Sequence, residues 1–222
     1  MNIDFLKITL ETLGMTLIST LLAYLIGLPL GVILKITSKN GLHPNKPVNL
    51  VLGIIVNFLR SVPCLILTVI LLPLNRALLG RGTGKWYTMI IPLFFSTFAF
   101  VARSVEQSLQ DVDNGAVEAV KSLGASPFQI ITHVYLGEAR ASLLLGFTIT
   151  LVNVLGYTSF AYNIGAGGLI SEIWHYYSGH PSDFLSSWTF WVMILVVVAL
   201  VELVQELGLY LAKKVDKRKK LK

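Results

Sequence analysis

Long apolar stretches separated by short polar ones dominate this chain, and its charge-free intervals mark their limits. Thr12 to Leu34 is 23 residues without a charge, and Trp86 to Ala102 is 17. The interval between Arg140 and Glu172 is 31 residues long, and that between Asp183 and Glu202 is 18. Between Lys46 and Arg76 only Arg60 is charged. A helix needs roughly 17–25 apolar residues to cross the hydrocarbon core. The pattern therefore predicts an all-α membrane protein of five spans, near 13–34, 50–72, 87–105, 143–162 and 188–211. The first reads as a retained helix rather than a cleaved signal peptide. It lacks a basic n-region, is too long, and no small-x-small site follows Leu34.

The segment 106–142 is polar overall but patterned. Asp113 and Asn114 are N-cap types ahead of a short helix through Ala116–Val120, and Gly124 suits its C-terminal turn. Ser126, Pro127 and Gln129 form a capping-box pattern for a second helix. Phe128, Ile131, Val134 and Tyr135 recur at helical spacing, so one face is apolar. A helix pair too short to span must bury that face. It packs on its own bundle, lies at the headgroup interface, or docks into a groove on a partner.

Composition agrees with the pattern. Only 14% of residues are charged, 54% are hydrophobic, and the mean hydropathy is +0.70. A soluble domain is typically about 25% charged. The pI of about 9.4 is misleading, because seven of the 18 Lys and Arg lie between Lys213 and Lys222. With Asp216 that tail carries the whole net charge of +6, leaving no basic stripe for nucleic acid. The tail reads as a stop-transfer and orientation signal, or as a contact for anionic membrane lipid. Placing it in the cytoplasm puts 13 of the 18 bases inside and four outside. The N-terminus is then outside and the C-terminus cytoplasmic.

Arg60 is the one charge well inside a predicted span. It reads as a pore-facing cation, as half of a structural pair, or as lying near the cytoplasmic interface of a span that starts later, at Ser61 and Pro63. Ser61, Asn57, Asn153 and Tyr157 are further candidates for a polar path, with Tyr162 and Asn163 near the span ends. Met89, Phe94, Phe98 and Phe147 suit an apolar, polarizable pocket or simple core packing. Gly165–Gly168 reads as a flexible outer turn. His175, His180 and Asp183 match no metal spacing and lie among aromatics, so no metal is expected. A lone Cys64 excludes an internal disulfide.

Glu118-Ala119-Val120-Lys121-Ser122-Leu123-Gly124-Ala125-Ser126-Pro127, continuing to Gln129–Ile131 and Leu136–Ala139, resembles the EAA loop of binding-protein-dependent ABC importer permeases. Glu11–Thr16 with Gly27–Gly31 resembles that family's first span. Asn57–Pro63 resembles the second, and Gly156-Tyr157 with Gly165–Leu169 the end of the fourth. The whole chain, 1–222, then resembles a single permease domain of the methionine importers, with the type I ABC importer fold. An EAA-like coupling loop spans 111–139 and the basic tail 212–222. Two departures stand out: Val120 replaces an Ala, and Gly137 stands where Pro is usual.

The resemblance implies a bacterial inner-membrane protein in which two copies of the chain form the path. Two cytoplasmic ABC ATPase subunits would bind ATP and Mg, and an extracytoplasmic substrate-binding lipoprotein would deliver methionine, the L form with tolerance for D. It implies coupling roles for Glu118, Ala119, Gly124, Ala125, Pro127, Phe128 and Ile131, and no catalytic residue or cofactor in this chain. No G-x-x-x-x-G-K-[ST] run is present, which is consistent with ATP acting through a partner. The rival is a self-contained secondary amino-acid transporter, disfavoured by the lack of an internal repeat. An intramembrane enzyme ranks last, since no nucleophile–base pair lies within the spans.

Overall fold

The computed structural model describes residues 4–216, and these form helices joined by short loops, with no strand among them. Helix α1 is Phe5–Thr37, begun by Asp4, whose side chain accepts the Lys7 N–H. Its small and polar residues at helical spacing, among them Thr12, Thr16, Ala23, Gly27 and Gly31, form the buried face. They meet α5, Ile90–Gln110. A β-carbon on Gly27 would lie 2.7 Å from the Phe98 carbonyl oxygen, and one on Gly31 would lie 2.5 Å from that of Ala102. The two backbones therefore touch, as helices without a hydrophobic driving force between them require.

The second predicted span is not one helix. Helix α2, Lys46–Ser61, and helix α3, Cys64–Ile70, meet at 91°. Pro63 has no N–H to continue α2, and it holds Val62 extended at φ −81°, ψ 118°. The predicted 50–72 stretch is thus two helices rather than one, followed by α4, Leu72–Leu79, which ends at left-handed Gly80. The first and last long helices, Phe5–Thr37 and Trp188–Val215, run beyond the predicted 13–34 and 188–211. Asparagine 75 is buried and donates to the Gly82 and Thr88 carbonyls, tying the following loop to the start of α5.

After α5 come α6, Asn114–Ser122, and α7, Pro127–Gln129. A π turn, Ile130–Tyr135, joins α7 to α8, Leu136–Glu138. Helix α9, Arg140–Tyr157, tightens into a 3-10 turn, Thr158–Ile164. Helix α10, Leu169–Gly179, leads to the last helix, α11, Trp188–Val215. Lys213 and Lys214 lie in the last turn of α11, and the rest of the basic tail, 217–222, lies outside the described residues.

Helices α1, α5 and α9 make the centre, with α2 against α5 and α11 against α9. Gly208 of α11 sits on Thr148 so closely that no β-carbon fits between them. The exterior is apolar: Leu21, Leu25, Ile54, Phe58, Leu195 and Leu203 are all exposed. Such a surface is stable against lipid, where helices satisfy their own backbone.

At the end opposite the α6–α8 hairpin, α10 starts against α1. The Glu11 carboxylate accepts the Gly168 N–H at 3.1 Å, and the Thr12 hydroxyl accepts that of Leu169 at 2.7 Å. An acid at a helix N-terminus is favourable. Gly167 and Gly168 have φ of 87° and 89°, and a β-carbon on Gly168 would lie 2.6 Å from Met15 Cε. The expected flexible turn at Gly165–Gly168 is instead a docked one.

Candidate coupling site

The hairpin is built by local rules. Asp113 accepts the Gly115 N–H and opens α6. Gly124, at φ 82°, closes it: its N–H donates to Lys121 O, and the Ala125 N–H donates to Val120 O. That pair of bonds is the Schellman arrangement, which favours Gly at this position. The Ser126 side chain accepts the Gln129 N–H, and Gln129 Oε1 accepts the Ser126 N–H at 2.8 Å, completing the capping box.

The apolar surface of the hairpin divides in two. Ile130, Val134 and Tyr135 are buried with Val105, Leu109 and Val117 in one cluster spanning α5 and the hairpin. Ile131 and Ala125 pack against that cluster from its edge. At the tip, Phe128 is 73% exposed and Leu123 86% exposed. Glu118, Ala119, Gly124 and Pro127 are exposed around them. Of the two apolar residues expected to present surface outward, Phe128 does so. Ile131 is half-buried and packs on its own bundle. Leu123 was missed, since it falls outside the second helix's periodicity and only its place before Gly124 marks it.

Beneath the hairpin lies a group of charges that the span limits hid. Arg103 of α5 pairs with Glu106, donates from Nη2 to the Gly53 carbonyl at 3.1 Å, and donates from Nε to Asn57 Oδ1 at 3.2 Å. Gln110 donates to the other Glu106 oxygen. The Lys35 ammonium of α1 lies 5.5 Å from the centre of the Tyr135 ring. Burial pushes the Tyr135 phenol above its ordinary value of 10.0, and its ring lies under the cation. The spacing of Arg103, Glu106 and Gln110 puts all three on one helical face, a signal present in the sequence.

The candidate path residues divide between two places. Asn57, Arg60 and Ser61 share the end of α2, where Ser61 bonds back to the Asn57 carbonyl and Arg60 lies 5.7 Å from the Phe100 ring centre. Arg60 is exposed in the last turn of α2, where a cation suits the helix dipole. Asn153 lies on α9, in a groove of about 260 Å³ toward Gln205 of α11. Tyr157 stacks on Phe160 with ring centres 6.3 Å apart. Met89 is fully buried, Phe94 stacks on Phe98, and Phe147 meets Tyr24 edge-on, so these pack as core. His175 and His180 are absorbed in aromatic contacts with Tyr162 and Tyr176.

Known proteins align with this arrangement over nearly its whole length. The chain is 40% identical over 210 residues to the probable D-methionine transport system permease protein MetI of Pasteurella multocida, covering 95% of this chain and 94% of that protein. It is 38% identical over 149 residues to the D-methionine transport system permease protein MetI of Escherichia coli K12, covering 67% of this chain and 68% of the other. Among solved structures, a chain of the methionine ABC transporter MetNI in inward-facing conformations superposes with a TM-score of 0.85 at 34% identity. That match covers 92% of this chain and 93% of the other. The family model of the binding-protein-dependent transport system inner membrane component matches residues 27–217. With that match and its several long apolar helices, this multi-pass membrane protein belongs to the binding-protein-dependent transport system inner membrane component family.

Proposed function

We propose that the chain is the permease subunit of an ATP-driven methionine importer, with the α6–α8 hairpin as its joint to a separate ATPase. The exposed tip carries this reading: Leu123 and Phe128 project from a hairpin whose remaining apolar face is anchored on α5. A tip of that kind fits an apolar groove on a partner. Glu118, Ala119, Gly124, Ala125 and Pro127 shape it, and Ile131 fixes its base. Two ATPase subunits bind ATP and Mg²⁺, two copies of this chain enclose the path, and an external binding protein delivers the substrate. The names of the relatives favour D-methionine as one substrate.

The hairpin and the basic tail face the cytoplasm, and the N-terminus lies outside. Arg60, with Asn57 and Ser61, offers a cation and polar groups to a substrate carboxylate, while Asn153 and Tyr157 line the path further along. ATP does work here only by favouring one arrangement of the spans through different contacts in each.

Purification from native membranes, with Gly124→Asp alongside, tests the reading. Asp at φ 82° adds backbone strain and a charge at the tip. An ATPase subunit that accompanies the parent in equal amount and is lost with Gly124→Asp supports the joint. A folded parent chain that carries no ATPase refutes it and favours a self-contained transporter.

A further inference from the structure

The charges below the hairpin serve neither the docking tip nor the path directly, yet they are too well buried to be incidental. Glu106 is 6% exposed and Lys35 5% exposed. Burying ionised groups is costly unless each finds partners. Glu106 finds them in Arg103 and Gln110, and Lys35 finds one in the Tyr135 ring.

The group touches four separate elements. Lys35 belongs to α1, and Arg103 and Glu106 belong to α5. Arg103 reaches across to Gly53 and Asn57 of α2, and Lys35 lies over Tyr135 in the hairpin's π turn. Asn57 stands one turn before Arg60 and Ser61, on the helix that breaks by 91° two residues later. Polar contacts thus run from α5 to the broken helix, and Val105 and Leu109 of α5, on either side of Glu106 in sequence, share one apolar cluster with Ile130, Val134 and Tyr135 of the hairpin. A guanidinium held in three directions fixes orientation as well as distance.

We propose that Glu106 is a positioning residue for coupling: by orienting Arg103 it ties α5, on which the hairpin's base is packed, to α2, so that displacement of the hairpin moves the Asn57–Ser61 turn. Neutralising Glu106 leaves the Arg103 guanidinium without the carboxylate that orients it toward Gly53 and Asn57. The link then parts, and the hairpin follows the ATPase while α2 does not. This inference rests on the proposed reading of the chain as an ATP-coupled permease.

The test reconstitutes the complete complex, with its ATPase and binding-protein subunits, in liposomes. ATP hydrolysis and uptake of radiolabelled D-methionine are measured together for the parent, Glu106→Gln and Glu106→Asp. Glu106→Gln is expected to hydrolyse ATP while uptake per ATP falls at least tenfold, and Glu106→Asp is expected to recover part of that ratio. Uptake per ATP within twofold of the parent in Glu106→Gln overturns the inference and leaves the permease reading standing. A parent complex in which ATP drives no uptake defeats both. If Glu106→Gln does not assemble, Arg103→Lys keeps the charge but gives up the forked bonds to Gly53 and Asn57, and its ratio decides by the same limits.

Discussion

The two ends of the bundle solve the same problem, a helix start packed against α1 and α5, in opposite ways. At the end opposite the hairpin, short neutral side chains and positive-φ glycines lock α10 and the 80–88 loop in place: Thr12 accepts from Leu169, and Asn75 donates to Gly82 and Thr88. One carboxylate, Glu11, joins them. At the hairpin end, the ties are a charged group and a ring face, and the apolar tip beyond them is unburied. Neutral bonds to backbone groups hold one geometry and fail steeply away from it, whereas an ion pair attracts over a range of separations. The first end is built to stay, and the second is built to change.

Breaking the fixed end should have the largest effect. Gly168→Val meets Met15 and Thr12 and demands a φ that β-branched residues avoid. Overpacking costs about 1–3 kcal/mol, and the left-handed conformation adds about 1–2 kcal/mol. Thermal unfolding in detergent should fall by several degrees at least, and an unchanged midpoint would remove the contrast. Phe128→Asp should act at the other end alone. Midpoint and helicity should stay as in the parent, while ATPase co-purification drops at least tenfold, about 1.4 kcal/mol. A drop in stability instead would mean that the tip belongs to the core. The smallest effect is expected at Gly137, where a β-carbon finds nothing nearer than Thr132 O at 3.9 Å. Gly137→Ala should stabilise by about 0.5–1 kcal/mol, read as a small rise in midpoint with transport unchanged.

What the sequence disclosed and what it hid follow a physical line. The caps at Asp113 and Ser126 and the turn at Gly124 were legible because they depend on residues within three positions of one another. Periodicity gave the apolar face of Phe128, Ile131, Val134 and Tyr135, but not what each would meet. The bundle takes three of them and leaves Phe128. Pro63 carried a local signal for the break in α2, although the 91° angle depends on what α3 packs against. Glu106 was hidden by the method itself. The predicted third span ends at 105 and leaves Glu106 just outside, whereas the helix continues to Gln110 because its charges find partners within the protein.

The π turn at Ile130–Tyr135 has one more consequence. The Leu136 N–H closes on Ile131, five residues back, where an α-helix would close four. The segment thus holds a residue more than a regular helix of the same rise. The widened turn takes up that residue without rotating its flanks, whereas one residue added to a regular helix would turn everything beyond it by about 100°. The tip and the span therefore keep their phase across a surplus residue. Over this stretch chain length is buffered: a single deletion is absorbed by a return to regular bonding, while a further insertion would be read as a change of angle.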